Sequence, residues 1–255
     1  MTALAAVRLG CVRYLNARPL IHGWSGPVHF DHPSALCRLL ATGELQVALV
    51  SSFEYLRNPI YSVIDRVAIA SDGPVYSVIL AHCGRVEQLR EVVIDPASQT
   101  SVNLLHCLLG ERRMKVEFVS QGEICTERGL LLIGDQAIRF RQQSRDQYQF
   151  LDLGAEWKKA TGKPFVYALW LVRPDYDRKL AIAEELRSLG QNNMENLRAL
   201  ITAQPEGIRE FCDFYFRECL RFVFEEEEKQ GFQRFGEFCL RQKLISAVPP
   251  NPKLI

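Results

Sequence analysis

The features that most quickly betray a function are missing from this sequence of 255 residues. Charge of one sign is absent: 31 Lys and Arg stand against 30 Asp and Glu, a formal net of +1, which leaves no surplus for a phosphate backbone or an anionic bilayer. Neither nucleic acid nor membrane is an expected partner. No apolar run approaches the roughly 20 residues of a bilayer-spanning helix. The start, Met-Thr-Ala-Leu-Ala-Ala-Val-Arg, also lacks the basic segment and long apolar stretch of a secretory leader, so a cytoplasmic location is expected. There is no G-x-x-x-x-G-K-[ST] and no G-x-G-x-x-G, so nucleotide binding has no motif behind it. Without a G-x-S-x-G elbow and a placed histidine, acyl transfer on serine has weak support.

Metal-site spacing is absent too, although cysteine is not. Cys11, Cys37, Cys83, Cys107, Cys125, Cys212, Cys219 and Cys239 include no C-x-x-C pair, and His22, His29, His32, His82 and His106 form no ligand-like spacing with them. No metal is expected. Most of these cysteines stand beside apolar residues, as in Phe238-Cys239-Leu240, and read as reduced, small core residues. With 47% hydrophobic residues the chain can bury one large core or two modest ones.

What is present is an alternation of strand and helix signals. The apolar run 7–12 stops at Tyr14-Leu15-Asn16-Ala17-Arg18-Pro19-Leu20, a polar turn that opens a helix; Asn16 is a good N-cap and Pro19 suits a first turn. A strand at 28–31, a helix at 35–42 opened by Pro33-Ser34 and stopped by Gly43, a strand at 46–50, then Ser51-Ser52 and a short helix through Leu56 repeat this grammar. Two β-rich stretches, 61–70 and 75–82, flank the turn Ser71-Asp72-Gly73-Pro74. A second series follows: a strand at 92–94, a helix from Ser98-Gln99-Thr100-Ser101 to about Leu109, strands at 115–119 and 130–133, a helix near Gln136, another at 152–161, and a long apolar strand at 165–172. From Asp175 the pattern is helical, at 176–203, 206–220 and 225–245, with Glu225 to Glu228 suited to an acidic first turn.

This order predicts an α/β fold of two lobes. Residues 1–82 with 173–255 form the first lobe and a helical C-terminal tail, and 83–172 form an inserted second lobe, with crossings near 80–84 and 167–173. The polar turns of both lobes would line the cleft between them, with closure over a small ligand as the expected motion. A single doubly wound domain with a helical appendage fits the same order.

The candidate cleft residues share one chemistry. Asn16, Ser51, Ser52, Ser77, Ser98, Thr100 and Ser101 are neutral hydrogen-bonding groups, most at helix starts or strand ends, and with helix N-terminal amides they suit carboxylates. Each has an ordinary explanation as a cap or turn former, and for Asn16 spacing alone favours it. Asp135, after Leu130-Leu131-Leu132-Ile133-Gly134, is placed either to act as a base or to cap the helix that follows. Arg18 either forks onto a substrate carboxylate or points to solvent.

Taken in order, Tyr14 to Leu20, Leu45-Gln-Val-Ala-Leu-Val-Ser-Ser52, Ser71-Asp-Gly-Pro-Val-Tyr-Ser77, Ser98-Gln-Thr-Ser101, Leu132-Ile-Gly-Asp135, Asp152-Leu-Gly154 with Trp157, and Thr161-Gly-Lys-Pro-Phe165 resemble the menaquinone-biosynthesis chorismate dehydratase family of the futalosine route. That family shares its fold with type II periplasmic solute-binding proteins. The tail beyond about Asp175 resembles it only as helical filler. The resemblance implies a cofactor-independent hydro-lyase that removes water from chorismate to give 3-[(1-carboxyvinyl)oxy]benzoate. It puts Asn16 and Ser77 beside the reacting ring, with Arg18, Ser51, Ser52, Ser98, Thr100, Ser101, Gly134 and Asp135 as substrate-binding positions. No histidine or glutamate in these motifs is placed as a base, which leaves a substrate carboxylate as a candidate proton acceptor. Two other functions stay open on this fold: a cytoplasmic carboxylate-binding or sensor protein, and 1,4-dihydroxy-6-naphthoate synthase. Monomer and homodimer are both open.

Overall fold

The computed structural model describes residues 7–95 and 98–255, and the alternating signals resolve into two sheets. The chain begins with β1 (Leu9–Cys11), α1 (Arg18–Ile21), β2 (Val28–Phe30), α2 (Pro33–Thr42), β3 (Val47–Ser51), α3 (Ser52–Arg57) and β4 (Ser62–Ser71). There follow β5 (Val78–His82), β6 (Glu91–Val93), α4 (Gln99–Glu111), β7 (Glu117–Val119), β8 (Arg128–Ile133), α5 (Gly134–Gln143), β9 (Gln149–Asp152) and α6 (Leu153–Thr161). β10 (Phe165–Val172) leads into α7 (Lys179–Glu195), α8 (Leu197–Thr202), α9 (Arg209–Phe214), a π-helical turn at Tyr215–Cys219, α10 (Glu226–Arg241) and β11 (Lys253–Leu254).

The first sheet has the order β11-β4-β10-β3-β1-β2 and the second β7-β6-β8-β5-β9. β1 pairs parallel with β2 and β3, while β10 runs antiparallel to both β3 and β4.

The crossings differ from those the pattern predicts. β5, which the sequence puts in the first lobe ahead of a crossing near 80–84, lies between β8 and β9 inside the second sheet. The chain therefore leaves the first sheet after Ser71 and returns through α6, ahead of β10 rather than within 167–173. All five residues of β5 are buried, as an interior strand requires. Such a run declares that it is central without declaring to which sheet it belongs. β9 escapes the pattern for the opposite reason: four residues at a sheet edge carry almost no periodicity, and Asp152 both ends that strand and caps α6 by accepting from Ala155 N–H at 3.1 Å.

The tail is more broken than its amphipathic pattern implies. The stretch 176–203 divides at Asn196 into α7 and α8, and 206–220 becomes a 3-10 turn, α9 and the π turn. Only α10 keeps its expected form, with Glu225 and Glu228 in a capping box. It packs on α6 and β10 through Trp157, whose ring lies 5.1 Å from Phe165, 6.1 Å from Phe235 and 5.1 Å from Phe238. Geometries of this kind add about 0.5–1.5 kcal/mol per pair beyond burial, so the tail is built onto the crossing region. Among the described residues no helix is long and apolar enough to cross a membrane.

Candidate functional site

Where the ends of β1, β3, β5, β8 and β10 meet the starts of α4 and α5 lies a cavity of about 630 Å³, counted to its open mouth. Asn16, Ser51, Ser77, Ser98, Thr100, Ser101 and Gly134 all line it. These residues come from five separate segments of the chain, brought together by the two sheets.

Asn16 enters on a 3-10 turn, Leu15–Ala17, and is not the cap its sequence context predicts. The N-cap of α1 is Ala17, with no side-chain cap bond. An Asn16 cap would offer its oxygen to the amides two and three residues on, and the second of these is Pro19, which has no N–H. Instead Oδ1 of Asn16 is buried with no hydrogen-bond partner. Oε1 of Gln99, another cavity residue, is in the same condition. Gln99 sits inside the Ser98 to Ser101 motif, yet nothing in the spacing distinguishes it from its neighbours.

Ser77 is held by the crossing segment. Asp152 accepts from Val75 N–H at 3.0 Å and Tyr76 N–H at 2.8 Å, and pairs with Arg141 at 3.3 Å. Tyr76 occupies the left-handed region at φ 66 with the Arg141 guanidinium 4.3 Å above its ring, so one carboxylate and one guanidinium fix a strained turn. Ser77 O then accepts from Gly134 N–H at 2.8 Å. The Tyr215 hydroxyl donates to Ser77 Oγ at 2.6 Å. Tyr215 comes from the tail, and no sequence signal points to it.

A second hydroxyl chain closes the opposite wall. Ser51 Oγ and Thr100 Oγ1 are hydrogen-bonded, Thr100 Oγ1 donates to Tyr167 O at 3.1 Å, and the Tyr167 and Ser71 hydroxyls are 3.0 Å apart. Because the single Thr100 proton goes to the Tyr167 carbonyl, Ser51 is the donor in the first pair. Both protons are thus spent within the protein. The donors that α4 offers the cavity include its first-turn amides, which have no partner within the helix.

Three predicted positions lie off the wall. Ser52 donates to Val166 O at 2.7 Å, pinning α3 to β10; it follows a strand whose side chains alternate in direction, so Ser51 and Ser52 cannot both face the cavity. Arg18 hydrogen-bonds the Gln204 side-chain carbonyl of the tail and is not part of the cavity wall. Asp135 neither caps α5 nor reaches the cavity: its Oδ1 accepts from Leu15 N–H at 2.8 Å. Gly134, just before it, has φ +56, and a Cβ there would lie 3.0 Å from the Tyr14 ring, so only glycine suits this backbone and this approach.

A sequence profile described as menaquinone biosynthesis matches residues 7–241. The chain belongs to the menaquinone-biosynthesis family. Similar to it is the chorismate dehydratase of Thermus thermophilus, 30% identical over 260 residues, covering 90% of this chain and 93% of that one. Among solved structures, the alkanesulfonate-binding protein of Xanthomonas axonopodis pv. citri aligns at a TM-score of 0.64 with 10% identity, covering 98% of this chain and 97% of that one. A Candida albicans protein described as having the generic periplasmic binding protein fold aligns at 0.60 with 12% identity, covering 96% of each. These likenesses show the fold: two α/β lobes of the periplasmic-binding-protein kind.

In this member of the menaquinone-biosynthesis family the cavity wall carries no Asp, Glu, Lys, Arg, His or Cys among the described residues. Its ionisable groups are the phenols of Tyr14 and Tyr167. Burial pushes both up, helped at Tyr14 by the charges of Asp95 and Asp135 and at Tyr167 by that of Asp152. The wall is therefore uncharged at neutral pH, and the positive end of the 13-residue α4 supplies its electrostatic bias.

Proposed function

We propose that this protein is a chorismate dehydratase, a cofactor-independent hydro-lyase that converts chorismate to 3-[(1-carboxyvinyl)oxy]benzoate in the futalosine route to menaquinone. The observation that carries this reading is the uncharged wall of amide, hydroxyl and helix N-terminal donors, in a family whose Thermus thermophilus member bears that name. Chorismate has two carboxylates. The start of α4, with Ser98 and Ser101, receives one of them by hydrogen bonds without an ion pair.

The reaction needs little acid or base strength, because losing water makes the ring aromatic. The C–H bond at the ring carbon bearing the enolpyruvyl ether breaks, its electron pair forms the new ring double bond, and hydroxide leaves the neighbouring carbon. With no base on the wall, the enolpyruvyl carboxylate of the substrate takes the ring proton and passes it on, so that the proton and hydroxide depart together as water. The protein contributes orientation and hydrogen bonds to the departing oxygen. Asn16 and Ser77 supply them from opposite lobes.

Incubation of the purified protein with chorismate, followed by diene absorbance and mass spectrometry, tests this. Loss of absorbance with a product lighter by one water supports it; binding without turnover refutes it in favour of a carboxylate-binding protein on the same fold. Replacement of Asn16 and Ser77 singly by Ala tests the residue assignment, and near-normal turnover in both variants would overturn it.

A further inference from the structure

We infer that Tyr215, from the C-terminal tail, is a positioning residue that sets the Ser77 hydroxyl as a hydrogen-bond donor into the cavity. The inference rests on the dehydratase reading for the identity of the acceptor, but its geometry is independent of it. Ser77 and Tyr215 are both completely buried, and the Tyr215 hydroxyl donates to Ser77 Oγ at 2.6 Å. A serine hydroxyl has one proton and two lone pairs. With one lone pair engaged by Tyr215, the proton must be directed elsewhere, and among the described residues no acceptor takes it. Ser77 lines the cavity, so the open direction is toward a bound ligand.

The rest of the surroundings hold this arrangement in place. Ser77 has its main chain fixed on both sides, N–H to Val75 O at 2.7 Å and O from Gly134 N–H at 2.8 Å. The Tyr215 ring stacks on Phe211 with centroids 5.4 Å apart and planes at 16°. Its backbone lies in the π turn Tyr215–Cys219, a feature that often marks functional positions because the wider turn re-aims one side chain. Burial pushes the Tyr215 phenol well above its ordinary range. It therefore keeps the proton it donates to Ser77. Held in this way, Ser77 is a donor to the departing oxygen or to a carboxylate.

A double-mutant cycle decides the matter. Tyr215→Phe should lower kcat for chorismate about tenfold with KM changed less than about twofold, and in a Ser77→Ala background the same change should have no further effect. An equal loss in both backgrounds, or no loss in either, would overturn the inference, since a ring that only fills space acts independently of the Ser77 hydroxyl. Should Tyr215→Phe fail to fold, Phe211→Leu loosens the stack while keeping the phenol. Its loss of kcat should likewise vanish with Ser77→Ala, and persistence of the loss counts against the inference. If the wild type leaves chorismate unchanged, the functional reading fails instead. The cycle is then read calorimetrically from the Kd of benzene-1,3-dicarboxylate, where coupling of at least about threefold is expected and additivity refutes the inference.

Discussion

Asp135 accepts the main-chain N–H of Leu15 at 2.8 Å across 120 residues of sequence. The first turn of α5, in the second lobe, thereby holds the turn that carries Asn16 in the first. Replacing Asp135 by Ala leaves that part-buried donor unpaired, at about 1 kcal/mol, and lets Asn16 drift. Turnover should fall roughly 10- to 100-fold, whereas Asp135→Asn, which keeps an acceptor oxygen, should retain most of it. Steady-state kinetics of the two variants against wild type check this, and equal losses would contradict it.

Asn16 itself makes no hydrogen bond to the protein through Oδ1. Asn16→Ala should therefore reduce kcat by roughly 100- to 1000-fold while unfolding stability stays within about 1 kcal/mol of wild type. Urea denaturation beside the kinetic assay separates the two effects. A large stability loss would give Asn16 a structural role instead.

Gly134 has φ +56 and faces the Tyr14 ring. Alanine there should cost about 1–2 kcal/mol from the left-handed backbone alone, with a further penalty as the ring is displaced. The test is the urea midpoint of Gly134→Ala. Tyr14→Ala added to it should recover only the part due to contact.

Alkaline pH should find the buried phenols. Tyr167 and Tyr215 have folded-state pKa values raised by burial, so each favours the fold while protonated. Their stabilising effect is complete below the unfolded value of about 10 and is lost as pH climbs from there toward the folded values. The stability difference between wild type and Tyr167→Phe should be constant from pH 7 to about 9 and shift against the wild type above about 10. A pH-independent difference would show that the phenol is not desolvated.

Much of this site could be read from local sequence, because its wall is made of strand ends and helix starts. Asn16, Ser51 and the Ser98 to Ser101 run each stand where an apolar stretch gives way to a polar turn, and Ser77 where a turn gives way to β5; both transitions are written in adjacent residues. The illegible part is whatever depends on distant partners. Tyr215 meets Ser77 from 138 positions away, in a helical segment whose pattern signals only burial. Ser51 and Ser52 are chemically alike, and only the direction of β3 tells which faces the cavity. Likewise β5 announces an interior strand, while its sheet is chosen by partners at β8 and β9 that no local pattern names.

Contacts that meet across the cavity include the Ser51 and Thr100 hydroxyls, Thr100 on the Tyr167 carbonyl, Asp135 on a main-chain amide, the Tyr14 ring against Gly134, and the Tyr215 phenol on Ser77. None joins two opposite charges. Parting these surfaces breaks no ion pair, and the short hydrogen bonds concerned are scarcely screened by dissolved salt. At the cavity wall the two lobes are accordingly held by fit and hydration, and a salt-sensitive contact between them is the exposed Arg241–Glu111 pair of α10 and α4, off that wall.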